Sequence, residues 1–178
     1  MKTQNREIMK SLVHEIKTQS HSTQTLKINI KEAQRLGFDF NTRYYASRTL
    51  LHYATIVDAC GIISLLIKFG LNPNLCDERY KTPLHMAVEL ERYWVIKELL
   101  KHDVDVNAPG EFEQTPLHLA VIGGNLDIVK MLVEAGADIE LVDEKNQSAL
   151  DYAIDEKNEL IYNYLESERK KKRGELIC

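Results

Sequence analysis

Thr82-Pro-Leu-His85-Met-Ala87 is followed 33 residues later by Thr115-Pro-Leu-His118-Leu-Ala120. Altered copies stand one step to either side, as Thr49-Leu-Leu-His52-Tyr-Ala54 and Ser148-Ala-Leu-Asp151-Tyr-Ala153. The first residues fall at 49, 82, 115 and 148, so every step is 33 residues with no insertion. A fixed period of roughly 20–50 residues marks a stacked repeat architecture. Within each string the chemistry is that of a helix start. Thr82 and Thr115 can accept a bond from a free backbone N–H, and Pro83 and Pro116 sit where a missing N–H costs nothing. Leu84, Ala87 and Val88 then recur on one helical face. Alanine at 54, 87, 120 and 153 allows a paired helix to cross closely.

A second string keeps the same step. Ile62 to Asn74 aligns with Val95 to Asn107 and again with Ile128 to Glu140. This predicts a second, more apolar helix starting near Ile62, Val95 and Ile128. It ends where a left-handed residue is wanted, at Gly70 and Gly136, with Asp103 in that place in the middle repeat. The segment that follows, such as Val104-Asp-Val-Asn107, reads as a turn or short β-hairpin leading to the next unit. Shifting back by one period places Gly37, Asp39 and Asn41 opposite Gly70, Asn72 and Asn74. Ile30–Leu36 and Glu7–Ile16 then form the two helices of a leading unit, with a polar loop at Ser20–Thr25.

The T-P-L-H-x-A string on a 33-residue period resembles the ankyrin repeat. The resemblance covers roughly residues 30–166. It implies an all-α solenoid of helix-turn-helix units joined by short β-hairpin loops. The expected organisation is a degenerate N-terminal capping repeat over 1–41, and full repeats over 42–74, 75–107 and 108–140. A C-terminal capping repeat over 141–166 and a charged, flexible tail over 167–178 complete it. Terminal units of a solenoid turn a polar face to solvent, so the chain is expected to stand alone as a monomer.

Composition narrows the function. Of 178 residues, 44% are hydrophobic and 28% charged, and the net charge is −4, which argues against binding nucleic acid by phosphate neutralisation. No apolar run approaches the length of a membrane span or a signal sequence. Cys60, Cys76 and Cys178 lie at unrelated spacings that build neither a zinc cluster nor a disulfide framework. A reducing, cytoplasmic setting follows. Because Cys178 is the last residue, it does not fit the prenylation pattern.

The residues offer little chemistry. His52, His85 and His118 stand at one position of successive units, about 8–10 Å apart, too far to share a metal ion. They read instead as joints that bond backbone at the repeat junctions. No Ser/His/Asp or Cys/His pairing is evident, and Glu89 and Glu91 face different ways on a helix. Gly123-Gly124 is a turn between helices. No catalytic residue, cofactor or metal is expected. Arg169-Lys-Lys-Lys-Arg173 reads as the solvated, dipole-favoured end of the last helix, with a nuclear-import signal as the alternative.

The resemblance implies a partner protein met by the loop tips and the exposed side of each first helix, the concave surface. By register these positions are Tyr45, Arg48 and Ile56 in the first full repeat. The second contributes Glu78, Arg79, Lys81, Glu89 and Leu90. Glu111, Phe112, Gln114 and Ile122 follow in the third, and Glu144, Lys145 and Asp155 in the last. Tyr45, Ile56, Leu90, Phe112 and Ile122 are apolar where solvent is expected, which suits interface anchors. Gly110 stands where the family has Asp, so its loop is expected to differ in shape. Trp94 beside Tyr93 is either a second contact point or an aromatic pair packed over a helix turn. Small units of this kind resemble host-directed bacterial or viral effectors and ordinary adaptor subunits. The alternative is an inhibitory subunit that masks an enzyme's active site or a transcription factor's localisation signal.

Overall fold

A computed structural model describes residues 2–18 and 23–174, and these contain ten α-helices and no β-strand. They are α1 (Lys2–Thr18), α2 (Thr23–Arg35), α3 (Leu50–Ile56), α4 (Cys60–Lys68), α5 (Pro83–Glu89), α6 (Tyr93–Leu99), α7 (Pro116–Ile122), α8 (Leu126–Glu134), α9 (Ala149–Asp155) and α10 (Glu159–Arg173). The chain forms two compact units, residues 1–104 and 105–178. In the first, α1 packs on α2 and α3, α3 on α4 and α5, and α6 on α4 and α5. In the second, α7 packs on α8 and α9, and α10 on α9 and α8.

The helix starts follow from the repeated strings. Thr49, Thr82, Thr115 and Ser148 each close a capping box with the residue three positions on. In three of them that residue is His, and in the last it is Asp151. The alanines at 54, 87, 120 and 153 are fully buried, as close helix crossing requires. Leu50, Leu66, Leu84, Leu99, Leu117, Leu132 and Leu165 fill the core around them. Burying one such side chain contributes about 2 kcal/mol.

The asparagines join consecutive repeats inside each unit. In the first unit Asn41 donates to the Gly70 carbonyl and accepts from the Asn72 amide, while Asn74 donates to the Asp103 carbonyl at 3.0 Å. In the second, Asn107 donates to the Gly136 carbonyl and accepts from the Asp138 amide at 2.8 Å.

Several boundaries differ from expectation. The loop expected at Ser20–Thr25 falls partly outside the described residues, and Thr23–Thr25 already belong to α2. Gly37, Gly70 and Gly136 take positive φ, but Asp103 does not. Instead α6 stops early at Leu99, and a tight turn brings the Val104 amide to the His102 carbonyl at 2.8 Å. Ending the helix sooner avoids a left-handed aspartate. The tail expected from residue 167 is helical to Arg173, where Gly174 caps α10 at φ 69°. Arg169–Glu166 and Lys171–Glu168 pairs one turn apart extend the helix through the basic run. Cys178 lies outside the described residues.

Candidate functional site

The loops that carry most of the candidate residues are closed turns rather than β-hairpins. Each is pinned at its base by one backbone bond: Tyr44 N to Arg48 O, Asp77 N to Lys81 O, Gly110 N to Gln114 O, and Asp143 N to Gln147 O. Only an isolated bridge, Val142 with Ser148, resembles strand pairing among the described residues. What happens inside each turn depends on its first residue. Asp77 accepts the amides of Arg79 and Lys81, and Asp143 those of Lys145 and Gln147, through one carboxylate oxygen. Tyr44 and Gly110 have no such acceptor. Their turns tighten into short 3-10 segments, Tyr45–Ser47 and Glu111–Glu113. Two successive residues there are left-handed, Ala46 with Ser47 and Phe112 with Glu113.

The tips of these turns hold aromatic rings in water. Tyr45 is 79% exposed, Tyr80 67% and Phe112 55%. Tyr80 was not among the candidates. Its signal was present in the register, since Asn146, two periods later, is a residue that tolerates the left-handed region, and Tyr80 must adopt φ 58° at the same place. Consecutive turns are tied within each unit, by the Glu78 amide on the Ala46 carbonyl and the Glu144 amide on the Phe112 carbonyl.

The structure sorts the remaining candidates. Arg79, Glu89, Leu90, Ile122 and Lys145 are exposed. Ile56 is half-buried, so only part of it meets solvent. Arg48 is half-buried beside the Asp77 carboxylate at 3.5 Å. Lys81 departs most from expectation. It is buried, and its ammonium lies 2.7 and 2.8 Å from the two Glu89 oxygens, so its stem packs inward while Glu89 receives the charge. Gln147 repeats this arrangement with Asp155 at 2.7 Å. Gln114 cannot, because the corresponding residue is Ile122; it donates to the Tyr152 hydroxyl at 2.9 Å instead. Trp94 is 62% exposed and also stacks edge to face with Tyr93 at 5.2 Å, with the Lys97 ammonium 5.5 Å from its ring centre.

His52 is a joint between repeats. Its Nδ1 meets the Thr49 amide at 3.1 Å and hydroxyl at 2.9 Å, while Nε2 reaches the Lys81 carbonyl at 3.0 Å. A nitrogen that accepts from an amide must be unprotonated, which fits the neutral ring with hydrogen on Nε2. Burial holds the His52 pKa down at about 4, against weaker upward pulls from the Lys81 carbonyl and Asp77. Burial also lowers the His118 pKa. Asp143 shows the opposite balance. Burial pushes its carboxyl up, but bonds from the Tyr152 hydroxyl and the amides of Gln147 and Lys145 together hold it below the usual range.

One cluster contradicts the expectation that no Ser/His/acid grouping exists. Ser64 on α4 meets both Glu98 on α6 and His102 Nε2, the latter at 2.7 Å. The carboxylate grips the serine hydroxyl and Lys101, at 2.6 Å, rather than orienting the imidazole. The hydroxyl is therefore bound as a donor to the acid, the reverse of what an activated nucleophile needs. Its role is to join two repeats. Among the described residues no group of three or more His, Cys, Asp or Glu side chains could hold a metal ion, and no helix is long and apolar enough to cross a membrane.

Two family models match the sequence: ankyrin repeats (3 copies) over residues 2–110, and ankyrin repeats (many copies) over residues 99–153. The chain belongs to the ankyrin repeat family. Its all-helical architecture is that of the family's solenoid, and ankyrin repeats are generally protein–protein interaction modules. The match over residues 2–110 includes α1 and α2, which the 33-residue strings reach only faintly. No curated protein matches the chain.

Proposed function

We propose that this ankyrin protein binds a partner protein through its turn tips and the exposed flanks of its first helices. The observation that carries the reading is the placement of Tyr45, Tyr80 and Phe112, three large rings exposed at turn tips. Aromatic side chains supply much contact area for few rotatable bonds and dominate interface energetics. Leu90 and Ile122, exposed at the ends of α5 and α7, would extend the apolar contact. Arg79, Lys145 and Glu89 would lie at the rim, where charges govern encounter more than affinity. Lys81 belongs to the support beneath the surface.

The test is affinity capture from the native cell, followed by quantitative comparison of variants against whichever protein is recovered. Tyr45→Ala/Tyr80→Ala in the first unit and Phe112→Ala in the second should each lower recovery by tenfold or more. That corresponds to the loss of at least about 1.4 kcal/mol expected for an anchor residue. Lys130→Ala, away from the turns, should leave recovery unchanged. Equal capture by all variants would remove the turn tips from the binding surface.

A further inference from the structure

Trp94 lies on a second helix, apart from the turn tips. It is the only tryptophan of the chain, and it stands exposed beside Tyr93. The fold does not ask for it, since the same repeat position holds Gly61 one period earlier and Asp127 one period later. One period before Gly61 comes Ile28, also exposed. Within the first compact unit the second helices form a row, α2 on α4 and α4 on α6. Ile28 and Trp94 thus rise on the two outer helices of the row. Gly61 lies exposed between them, with open space where a side chain would stand. Leu65, half-buried one turn further along α4, continues this floor.

The row is basic in a chain whose net charge is −4. Residues 1–104 carry 15 Lys and Arg against 11 Asp and Glu, whereas residues 105–178 carry 8 against 16. One repeat position of the row holds Arg35, Lys68 and Lys101 in turn, and α2 and α6 add Lys27, Lys31 and Lys97. All six are exposed. The acids of these helices are Glu32 and Glu98, taken up by Arg35 at 3.1 Å and Lys101 at 2.6 Å. Lys27, Lys31 and Lys68 have no ion-pair partner among the described residues. Other acids stand beyond the helix ends, at Asp39, Asp58, Glu91 and Asp103. Of these, Asp58 faces Arg92 at 4.0 Å and Asp39 accepts the Asn41 amide. The helix dipole favours cations in a last turn, which accounts for Arg35 and Lys68 but not for Lys27 and Lys31.

Neighbouring helices pack about 8–10 Å apart, which sets the α2 and α6 axes about 16–20 Å from each other. A further helix, about 10–12 Å across, fits the trough between them. We propose that the α2–α4–α6 face is a second docking surface, which takes an acidic amphipathic helix of a partner protein. That helix lies over Gly61 and Leu65 with its apolar side between Ile28 and Trp94. Its carboxylates meet Lys27 and Lys31 on one wall and Lys97 on the other, with Lys68 at the end of the floor. A trough with two apolar walls suits a rod-shaped partner better than a flat anionic bilayer. Groove binding of this kind draws affinity from the apolar anchors and selectivity from the flanking charges.

Fluorescence of the full chain tests this, because the emission of its single tryptophan reports this face alone. The probe is a synthetic peptide of about 18 residues, long enough to hold helical form, with leucine along one side and glutamate on both flanks. At low salt it should shift Trp94 emission to the blue and saturate. Its Kd should rise at least tenfold between roughly 0.02 and 0.5 M salt, because opposite charges hold the complex. The same peptide with lysine in place of glutamate should give no shift. Gly61→Glu, which fills the trough with a like charge, should weaken binding at least tenfold with circular dichroism unaltered. Lys31→Glu/Lys68→Glu should do the same. Arg6→Glu/Lys10→Glu, which reverses two exposed cations of α1, should leave Kd within about twofold. No saturable shift at millimolar peptide overturns the proposal. So does equal weakening by the α1 pair, which would reduce the effect to net charge. A shift with vesicles of phosphatidylcholine and phosphatidylserine but none with the peptide also overturns it, and makes the face a membrane contact.

Discussion

Tyr80 occupies φ 58° in a turn whose next-but-one counterpart is Asn146, a residue better suited to that region. A bulky side chain in the left-handed region costs on the order of 1 kcal/mol that glycine avoids. The ring is solvated, so no burial visibly offsets that cost. Strain kept at an exposed aromatic is a reason to look for function there. Tyr80→Gly should therefore raise stability in urea denaturation by about 0.5–1 kcal/mol while weakening capture of the partner. A variant that gains stability and keeps full binding would make Tyr80 an incidental surface residue. The histidines were legible from the sequence because Thr-x-x-His spacing on a strict period admits a capping role and forbids a shared metal. Tyr80 was not, because its position changes identity in every unit, from Ser47 to Glu113 and Asn146, and so belongs to no repeated string.

At the scale of elements, the first and second helices of residues 50–134 follow directly from the two strings, since capping and apolar spacing act locally. The ends of elements were less legible. Where α6 stops depends on the cost of a left-handed Asp103, and how far α10 runs depends on Glu–Lys pairs in a segment that looks like a loose basic tail. The turns are closed by a single backbone bond each, with amide-to-carboxylate bonds inside two of them at Asp77 and Asp143, and these leave no sign in β-propensity. Buried struts were equally hidden: Lys81 looks like a surface charge until Glu89 is found eight residues on, at the end of the same first helix. Removing that carboxylate takes away the counter-charge that meets the buried ammonium at 2.7 Å. Glu89→Ala should destabilise the protein by about 1–2 kcal/mol in chemical denaturation, a value held down because Glu89 itself is half in solvent. Replacing the lysine as well, in Lys81→Met/Glu89→Ala, should recover most of the loss, since an apolar chain fills the same space without a charge. If the double variant is as unstable as the single one, the strut is not an ion pair in energetic terms.

For the molecule as a whole, the buried histidines set a dependence on pH. His52 titrates near 6.5 when unfolded and at about 4 in the folded protein, so between those values the unfolded chain binds the extra proton. Stability then rises with pH across that window, because it rises wherever the unfolded state holds more protons. The His52 contribution is complete above about pH 6.5 and is lost progressively as pH falls toward 4, a total of about 3 kcal/mol. His118 is displaced in the same direction by burial and steepens the same limb. The carboxylates act in a separate, lower range. Bonds from the Ser148 hydroxyl and amide hold Asp151 down, and the amide and tyrosyl bonds to Asp143 outweigh its burial, so these two stabilise the fold above their ordinary values and are lost only under more acid conditions. Unfolding free energies measured by urea between pH 7.5 and 4.5 should therefore decline well before carboxylate protonation begins. His52→Gln should be less stable at pH 7.5, yet its stability should fall less steeply with acid, by up to about 1.4 kcal/mol per pH unit within the window. An identical slope in both proteins would mean that the joint is solvated enough to take its proton in the folded state, and that the repeat junctions do not sense pH.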